Sequence, residues 1–259
     1  MSFHKALTGV DIHVPHALTY ADALARWTAT GLVAADVGKL AAQADSGALY
    51  RLRSVSPVLW SVVTVNRQGT MEYFEEFVGN ALSGAWDVTL VGAGSSALLI
   101  SAQDSAVRLR ADVALNDSAE IDHGGNHSFR ASSNAAFWAR FEEQGATNQG
   151  LELGFSRNDG ASEHIWLEHG SGGNYIASVM SATTETTVDT GVAVDTSKHI
   201  VEILVDTTRV EFIVDDVSVA VITTNIPTNT QQIHARIENL SAGSQRDLEV
   251  DAIRGMAIR

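Results

Sequence analysis

Between Ile200 and Ile222 apolar residues recur at every second position across two tight turns. Val201, Ile203 and Val205 alternate with Glu202, Leu204 and Asp206, and Thr207-Thr208 reverse the chain. Val210, Phe212 and Val214 alternate again, and Asp215-Asp216 make a second turn before Val217, Val219 and Val221. A period of two sends successive side chains to opposite faces of a pleated strand. The stretch therefore predicts a three-stranded antiparallel meander with one buried face. A helix is excluded, because its apolar stripe would need a period near 3.6.

The same grammar extends over most of the chain. From residue 70 short apolar segments are separated by Gly, Asn, Asp and Ser. The candidate strands are Trp86–Val91, Ala97–Ser101, Ala106–Ala111, Ser118–Ile121, Ala136–Glu142, Gly150–Ser156 and His164–His169. Tyr175–Ser181, His199–Val205, Arg209–Val214, Val217–Thr223, Gln232–Asn239 and Glu249–Arg259 complete the set. Many short strands without βαβ alternation predict an antiparallel β-sandwich or barrel over residues 69–259. Only Tyr73–Val78 reads as a helical turn there.

The front of the chain is organised differently. Residues 1–18 hold His4, His13 and His16 and the Val14-Pro15 step, and read as an extended arm. Thr19 is placed to cap a helix in which Tyr20, Ala23, Leu24 and Trp27 form one apolar stripe, with Gly31 as its stop. Lys39–Ala44 and Ala48–Arg53 flank the turn cluster Asp45-Ser46-Gly47, and Val58–Val65 adds a third strand. Residues 19–68 are thus expected to form a small α+β module.

Composition removes several classes. The 259 residues carry a formal net charge of −14 without a cluster of Lys and Arg, which excludes nucleic acid as a partner. No run of apolar residues is long enough to span a membrane, and the N-terminus has no signal-type apolar segment. Without cysteine, disulfides and thiolate metal sites are impossible.

Two stretches carry a resemblance. The meander HIVEILVDTTRVEFIVDDVSVAVITTNIP resembles the hairpins of concanavalin A-like and laminin G-like jelly rolls, and the segment around Trp86 is similar to the opening of those sandwiches. This resemblance implies a jelly-roll β-sandwich over residues 69–259. The segment TYADALARWTATGLVAADVGKLAAQADSGALYRL, with Asp36-Val37-Gly38-Lys39-Leu40, resembles a module at the front of bacteriophage tail-fibre and virion proteins. The resemblance implies a non-enzymatic structural component of a phage particle, assembled in the bacterial cytoplasm. The front would attach to other virion proteins and the sandwich would project. A carbohydrate-binding, lectin-like module recognising a host glycan is the alternative, and a glycoside hydrolase or lyase the third reading.

Candidate sites follow from residue chemistry. Glu120 and Asp122 share one face of a strand, as paired carboxylates of retaining glycosidases do. Jelly-roll glycoside hydrolases use an E-x-D-x-E or E-x-D-x-x-E strand, but His123, Gly124 and Gly125 occupy the places of the third carboxylate. The reading taken is therefore a solvated strand end, with no catalytic residue. His123 and His127 have ligand-like spacing, but Gly124-Gly125 make the segment a loop, so no metal or cofactor is expected. Gly170-Ser171-Gly172-Gly173-Asn174 lacks the helix and Lys-Ser/Thr that a phosphate loop needs. Trp138 and Trp166 alternate onto the less buried face of their strands and are candidates for stacking on sugar rings. A homo-oligomer is expected because the arm has little to bury itself with, and the resemblance to fibre proteins implies a trimer. Leu49, Leu52, Val58, Trp60 and Val62 also exceed what one short helix would cover. His13, Pro15, Tyr20, Trp27 and Trp60 are its candidate assembly contacts.

Overall fold

The computed structural model describes residues 17–21, 25–26, 28–44, 49–56, 58–63, 70–75, 77, 82–100, 106–124, 129–145, 147–157, 163–170 and 172–258. The chain divides into two units, residues 1–68 and 69–259.

The first unit holds a four-stranded sheet of β1 (Leu18–Tyr20), β2 (Leu40–Gln43), β3 (Leu49–Val55) and β4 (Val58–Val63), in that spatial order. β1 runs parallel to β2, and the remaining pairs are antiparallel. The expected helix from Thr19 to Gly31 is corrected: Leu18–Tyr20 is a strand, and Ala25–Arg26 is the only helical stretch among the described residues of that segment. The hydrogen bonds of β1 to β2 fix its backbone as extended, and the Tyr20 ring finds its apolar partner edge-on against Trp60 at 5.5 Å. Trp60 is fully buried and donates its indole N–H to the Arg26 carbonyl at 3.1 Å. Trp60 thus serves this unit's own core, which corrects its reading as an assembly contact, while Tyr20 packs on it and stays partly exposed. His13, Pro15 and Trp27, along with His4 and His16, lie outside the described residues.

The second unit is a sandwich of two antiparallel sheets. Its strands are β5 (Thr70–Glu75), β6 (Trp86–Val91), β7 (Ser96–Ile100), β8 (Ala106–Ala111), β9 (Ser118–His123) and β10 (Ala136–Glu143). β11 (Gln149–Ser156), β12 (His164–His169), β13 (Asn174–Ser181), β14 (Thr184–Ala193) and β15 (Lys198–Val205) follow. The last four are β16 (Val210–Val214), β17 (Val217–Ile222), β18 (Gln232–Asn239) and β19 (Arg246–Ile258). One sheet has the order β17-β16-β15-β10-β19-β8-β7, with β5 also paired to β19. The other has the order β14-β13-β12-β11-β18-β9-β6. Residues 73–75 of the expected helical turn belong to β5, because the long β19 offers them an open ladder from Ile253 to Ile258.

Between the sheets lies one apolar layer. Phe137, Phe141, Leu153, Leu167, Ile203, Phe212, Ile237 and Val250 are among its most buried members. A polar knot fastens it internally. The buried Glu143 of β10 accepts hydrogen bonds from Tyr175 Oη at 2.8 Å, from His169 Nε2 at 2.6 Å and from Gln149 Nε2. One carboxylate therefore ties the first sheet to β11, β12 and β13 of the second, and its buried acceptors are satisfied.

The meander forms where expected, with two differences. Glu211 and Ile213 are as buried as Val210, Phe212 and Val214, so β16 is covered on both faces. A bulge between Phe212 and Ile213 shifts the register of β17, so Ala220 and Ile222 enter the core while Val217 and Val221 face outward. One extra residue flips every later side chain, and alternation alone does not reveal it.

Phe212 is fully buried at the middle of this layer. Phe212→Ala is expected to lower unfolding stability by about 3–5 kcal/mol, measured by denaturant unfolding of the full chain; a loss below about 1 kcal/mol contradicts the assignment.

Candidate active site

The face of the seven-stranded sheet turned away from the core carries a cluster of partly buried carboxylates, Glu120, Asp122, Glu152, Glu168 and Glu238. Ile121, Leu153, Leu167, Ala235 and Ile237 are fully buried against the other sheet. Their neighbours Glu120, Asp122, Glu152, Trp166, Glu168, His234, Arg236 and Glu238 must then point the other way. The ladders align these residues in two rows. Thr89, Glu120, Arg236, Glu152 and Glu168 lie side by side across β6, β9, β18, β11 and β12. Asp87, Asp122, His234, Gly154, Trp166 and Ser178 form the adjacent row, which continues onto β13.

His234 is the hub. Its Nδ1–H donates to Asp122 at 2.9 Å and its Nε2–H to Glu152 at 3.1 Å, with Glu120 at 3.9 Å from Nδ1. Burial disfavours the imidazolium, but the hydrogen bonds and charges of Asp122 and Glu152 outweigh it and raise its pKa to about 10. Arg236 extends the positive floor. It donates to Glu152 at 2.7 Å and to Glu238 at 2.9 Å, with Glu120 at 3.8 Å from its Nε.

These cations divide the carboxyl groups. Burial alone would raise Asp122 and Glu152, but His234, joined at Glu152 by Arg236, holds both below their ordinary range. Glu120 is raised to about 7 by burial first, then by its hydrogen bond and charge interaction with Asp122; the more distant His234 and Arg236 only partly offset this. A protonated Glu120 therefore donates to an ionised Asp122. Glu168 is also raised to about 7, chiefly by burial and despite the Trp166 Nε1–H that it accepts at 2.8 Å. Carboxyl groups whose environments drive their pKa values apart are the mark of acid–base chemistry.

Trp166 lies on this face but is only 7% exposed, which corrects its reading as an open stacking platform. Its ring stacks on His164 at 3.7 Å and leans toward His234 at 5.4 Å. Gly154 lies between Trp166 and His234 in the ladder, and a Cβ there would fall 2.2 Å from the Ile165 carbonyl oxygen. Burial pushes His164 down to about 4, so it is neutral where it meets Ser178 at 2.8 Å. Trp138 belongs to the other sheet, in register with Glu202 and Arg254, and does not share the site. His123 turns to the core side, its ring 3.9 Å from Tyr73, while Asp122 faces outward; His127 lies outside the described residues. The ligand-type atoms of Glu120, Asp122 and His234 lie within 4.8 Å of one another. Both His234 nitrogens already donate to carboxylates, so the cluster is built as an ion-pair network rather than as a set of free metal ligands.

Glu152, Glu168, His234 and Arg236 were not legible as site residues. The available signal was Q-I-H-A-R-I-E over Gln232–Glu238, where three successive outward positions of an otherwise apolar strand carry charge-bearing groups.

No protein-family model matches the chain, and no curated protein matches it. Solved structures do. A glycosyl hydrolase family protein from Mycobacterium fortuitum is similar with a TM-score of 0.56 and 13% identity, covering 71% of this chain and 98% of that one. The catalytic domain of an endo-1,3-beta-glucanase (laminarinase) from Thermotoga petrophila gives 0.55 and 11%, over 72% and 97%. Rv0315 of Mycobacterium tuberculosis, described as an immunostimulatory antigen and pseudo beta-1,3-glucanase, gives 0.55 and 14%, over 74% and 100%. At these identities the likeness establishes the jelly-roll sandwich fold. These neighbours correct two expectations, the phage structural component and the non-enzymatic chain. The first rested on a short sequence likeness and the second also on the missing third carboxylate after Asp122, whereas the structural likeness spans about the whole second unit.

Below pH 6.5, the ordinary histidine value, the raised pKa of His234 contributes its full stability, and the contribution is lost as pH rises through about 10. Thermal unfolding between pH 7 and 10.5 should therefore show a steeper loss for the wild type than for His234→Gln. Parallel losses would contradict a charged hub.

Proposed function

We propose that the second unit is a glycoside hydrolase that takes a polysaccharide along the outward face of the seven-stranded sheet, beside Glu120. Glu120 delivers the proton to the departing sugar oxygen. The observation that carries this reading is the half-buried Glu120 beside Asp122, close to His234 but without the direct hydrogen bond that Asp122 has to it, which raises the Glu120 pKa to about 7 while Asp122 stays low. Cleaving a glycosidic bond needs a carboxylic acid at the leaving oxygen, and a pKa near the working pH makes it an efficient donor. The third carboxylate of the E-x-D-x-E pattern is missing from β9, so the division of roles along one strand is not open to this chain. Glu120 takes the acid's role because its surroundings keep the proton on it.

The sandwich fold shared with proteins named as glycosyl hydrolases and beta-1,3-glucanases supports the reading. It also makes β-1,3-glucan the first substrate to test. The ionised carboxylates on this face disfavour anionic glycans by simple repulsion.

The test is reducing-sugar release from a panel of neutral glycans led by β-1,3-glucan. Glu120→Gln is expected to lower turnover by about 10²–10⁴-fold while leaving the thermal transition in place. Wild-type turnover should fall as pH rises above about 7, where the donor loses its proton, and persist into the acid range. Cleavage untouched by Glu120→Gln, or glycan binding without cleavage, would overturn the proposal.

A further inference from the structure

We infer that the outer edge of β6 is a homodimer interface, at which two copies of the chain pair β6 with β6 about a two-fold axis and join their seven-stranded sheets into one. The pairing is independent of the hydrolase reading, and only its consequence for the site rests on that reading.

The edge itself carries the inference. β6 ends the seven-stranded sheet, and among the described residues it is paired only through β9, from Trp86 to Val91 without a break in register. The backbone groups on its other side form an open ladder. Asp87, Val88, Thr89, Leu90 and Val91 are all exposed. Val88 and Leu90 stand opposite Ile121 and Ala119, which have no exposure, so they point to the core side and yet are 44% and 46% exposed. The apolar layer between the sheets thus runs out before it covers this strand. Val91 adds an exposed apolar side chain on the other face, and Leu98 adds one from β7, the end strand of the second sheet beside it.

Soluble chains blunt such edges with Lys, Pro, bulges or a covering segment. β6 has no Lys, no Pro and no bulge, and its only charge is Asp87. The opposite end strand of the same sheet, β14, is built differently. It carries Glu185 and Asp189, and its pairing with β13 is irregular beside Asn174.

A second copy is the occupant that the residues of β6 fit. Antiparallel pairing centred on Thr89 places Thr89 opposite its own copy, Val88 opposite Leu90, and Asp87 opposite Val91. Each Val88–Leu90 pair closes over the open end of a core, and Thr–Thr is a favourable cross-strand pair. The two Asp87 carboxylates then lie four positions apart, about 13 Å, which exceeds the screening length of about 8 Å at physiological salt. A pairing centred on Asp87 would instead set the two carboxylates face to face.

The two-fold axis stands perpendicular to the joined sheet, so the outward faces of both copies form one surface. The row of Thr89, Glu120, Arg236, Glu152 and Glu168 continues through the Thr89 pair into the same row of the second copy. The two Glu120 residues are three inter-strand spacings apart, about 14 Å, and a single glycan chain runs past both.

Sedimentation of the full chain in the micromolar range should give about twice the 27.6 kDa of one chain. Leu90→Lys is expected to return the mass to that of one chain with its thermal transition in place. Val217→Lys, at an exposed position on the edge strand β17, should leave the dimer intact. Since the chain has no cysteine, Thr89→Cys should crosslink two chains on mild oxidation, whereas Asp87→Cys should not. A monomeric wild type, a dimer that survives Leu90→Lys, or no crosslink through Thr89→Cys overturns the inference and leaves the hydrolase reading standing. The crosslink decides the matter even if Leu90→Lys fails to fold. If no glycan is cleaved while the crosslinked dimer forms, the hydrolase reading falls and the interface stands.

Discussion

A dry layer between two sheets is the constraint on which the rest of the second unit depends. Ile121, Leu153, Leu167, Ala235 and Ile237 have no exposure, and each fixes the direction of the residues on either side of it. Slipping β9 or β18 by one position would drive Glu120, Asp122, His234 and Arg236 into that layer. Burying them there without their partners would cost far more than the strand pairing returns. The register of the site is thus held by apolar side chains that never touch it.

Charge balance then sets the chemistry. Four carboxyl groups, of Glu120, Asp122, Glu152 and Glu238, meet only two cations, His234 and Arg236. Direct hydrogen bonds to the cations go to Asp122, Glu152 and Glu238, while Glu120 stays at 3.8 and 3.9 Å. The least compensated group keeps its proton. The sandwich itself does not dictate this outcome, since it is shared by proteins named as glucanases and by one named a pseudo-glucanase. What is particular to this chain is the arrangement of Glu120 and Asp122 around His234 and Arg236.

Much of the sandwich was legible in the sequence because a period of two reports a half-buried sheet directly. Gln232–Asn239 and Tyr175–Ser181 stand almost where alternation put them. β14 was missed: its residues are threonine-rich and mostly exposed, and its turn uses Ala182 and Thr183 at positive φ, where glycine or asparagine would have signalled it. The front helix failed for another reason, since a stripe of four apolar residues cannot compete with a ladder supplied by a distant strand. At the site, Glu120-x-Asp122 was visible as a pair on one strand. Its partners Glu152, His234 and Arg236 come from β11 and β18, and nothing local states which strands will be neighbours.

The central claim is that the sheet raises Glu120 so that it keeps its proton up to about pH 7, and carbon NMR of carboxyl-labelled glutamate tests it most directly. One resonance, lost in Glu120→Gln, should titrate near pH 7, well above an ordinary glutamate. If the resonance removed by that substitution instead titrates near 4.5, the proton donor is absent and the account of this site is wrong.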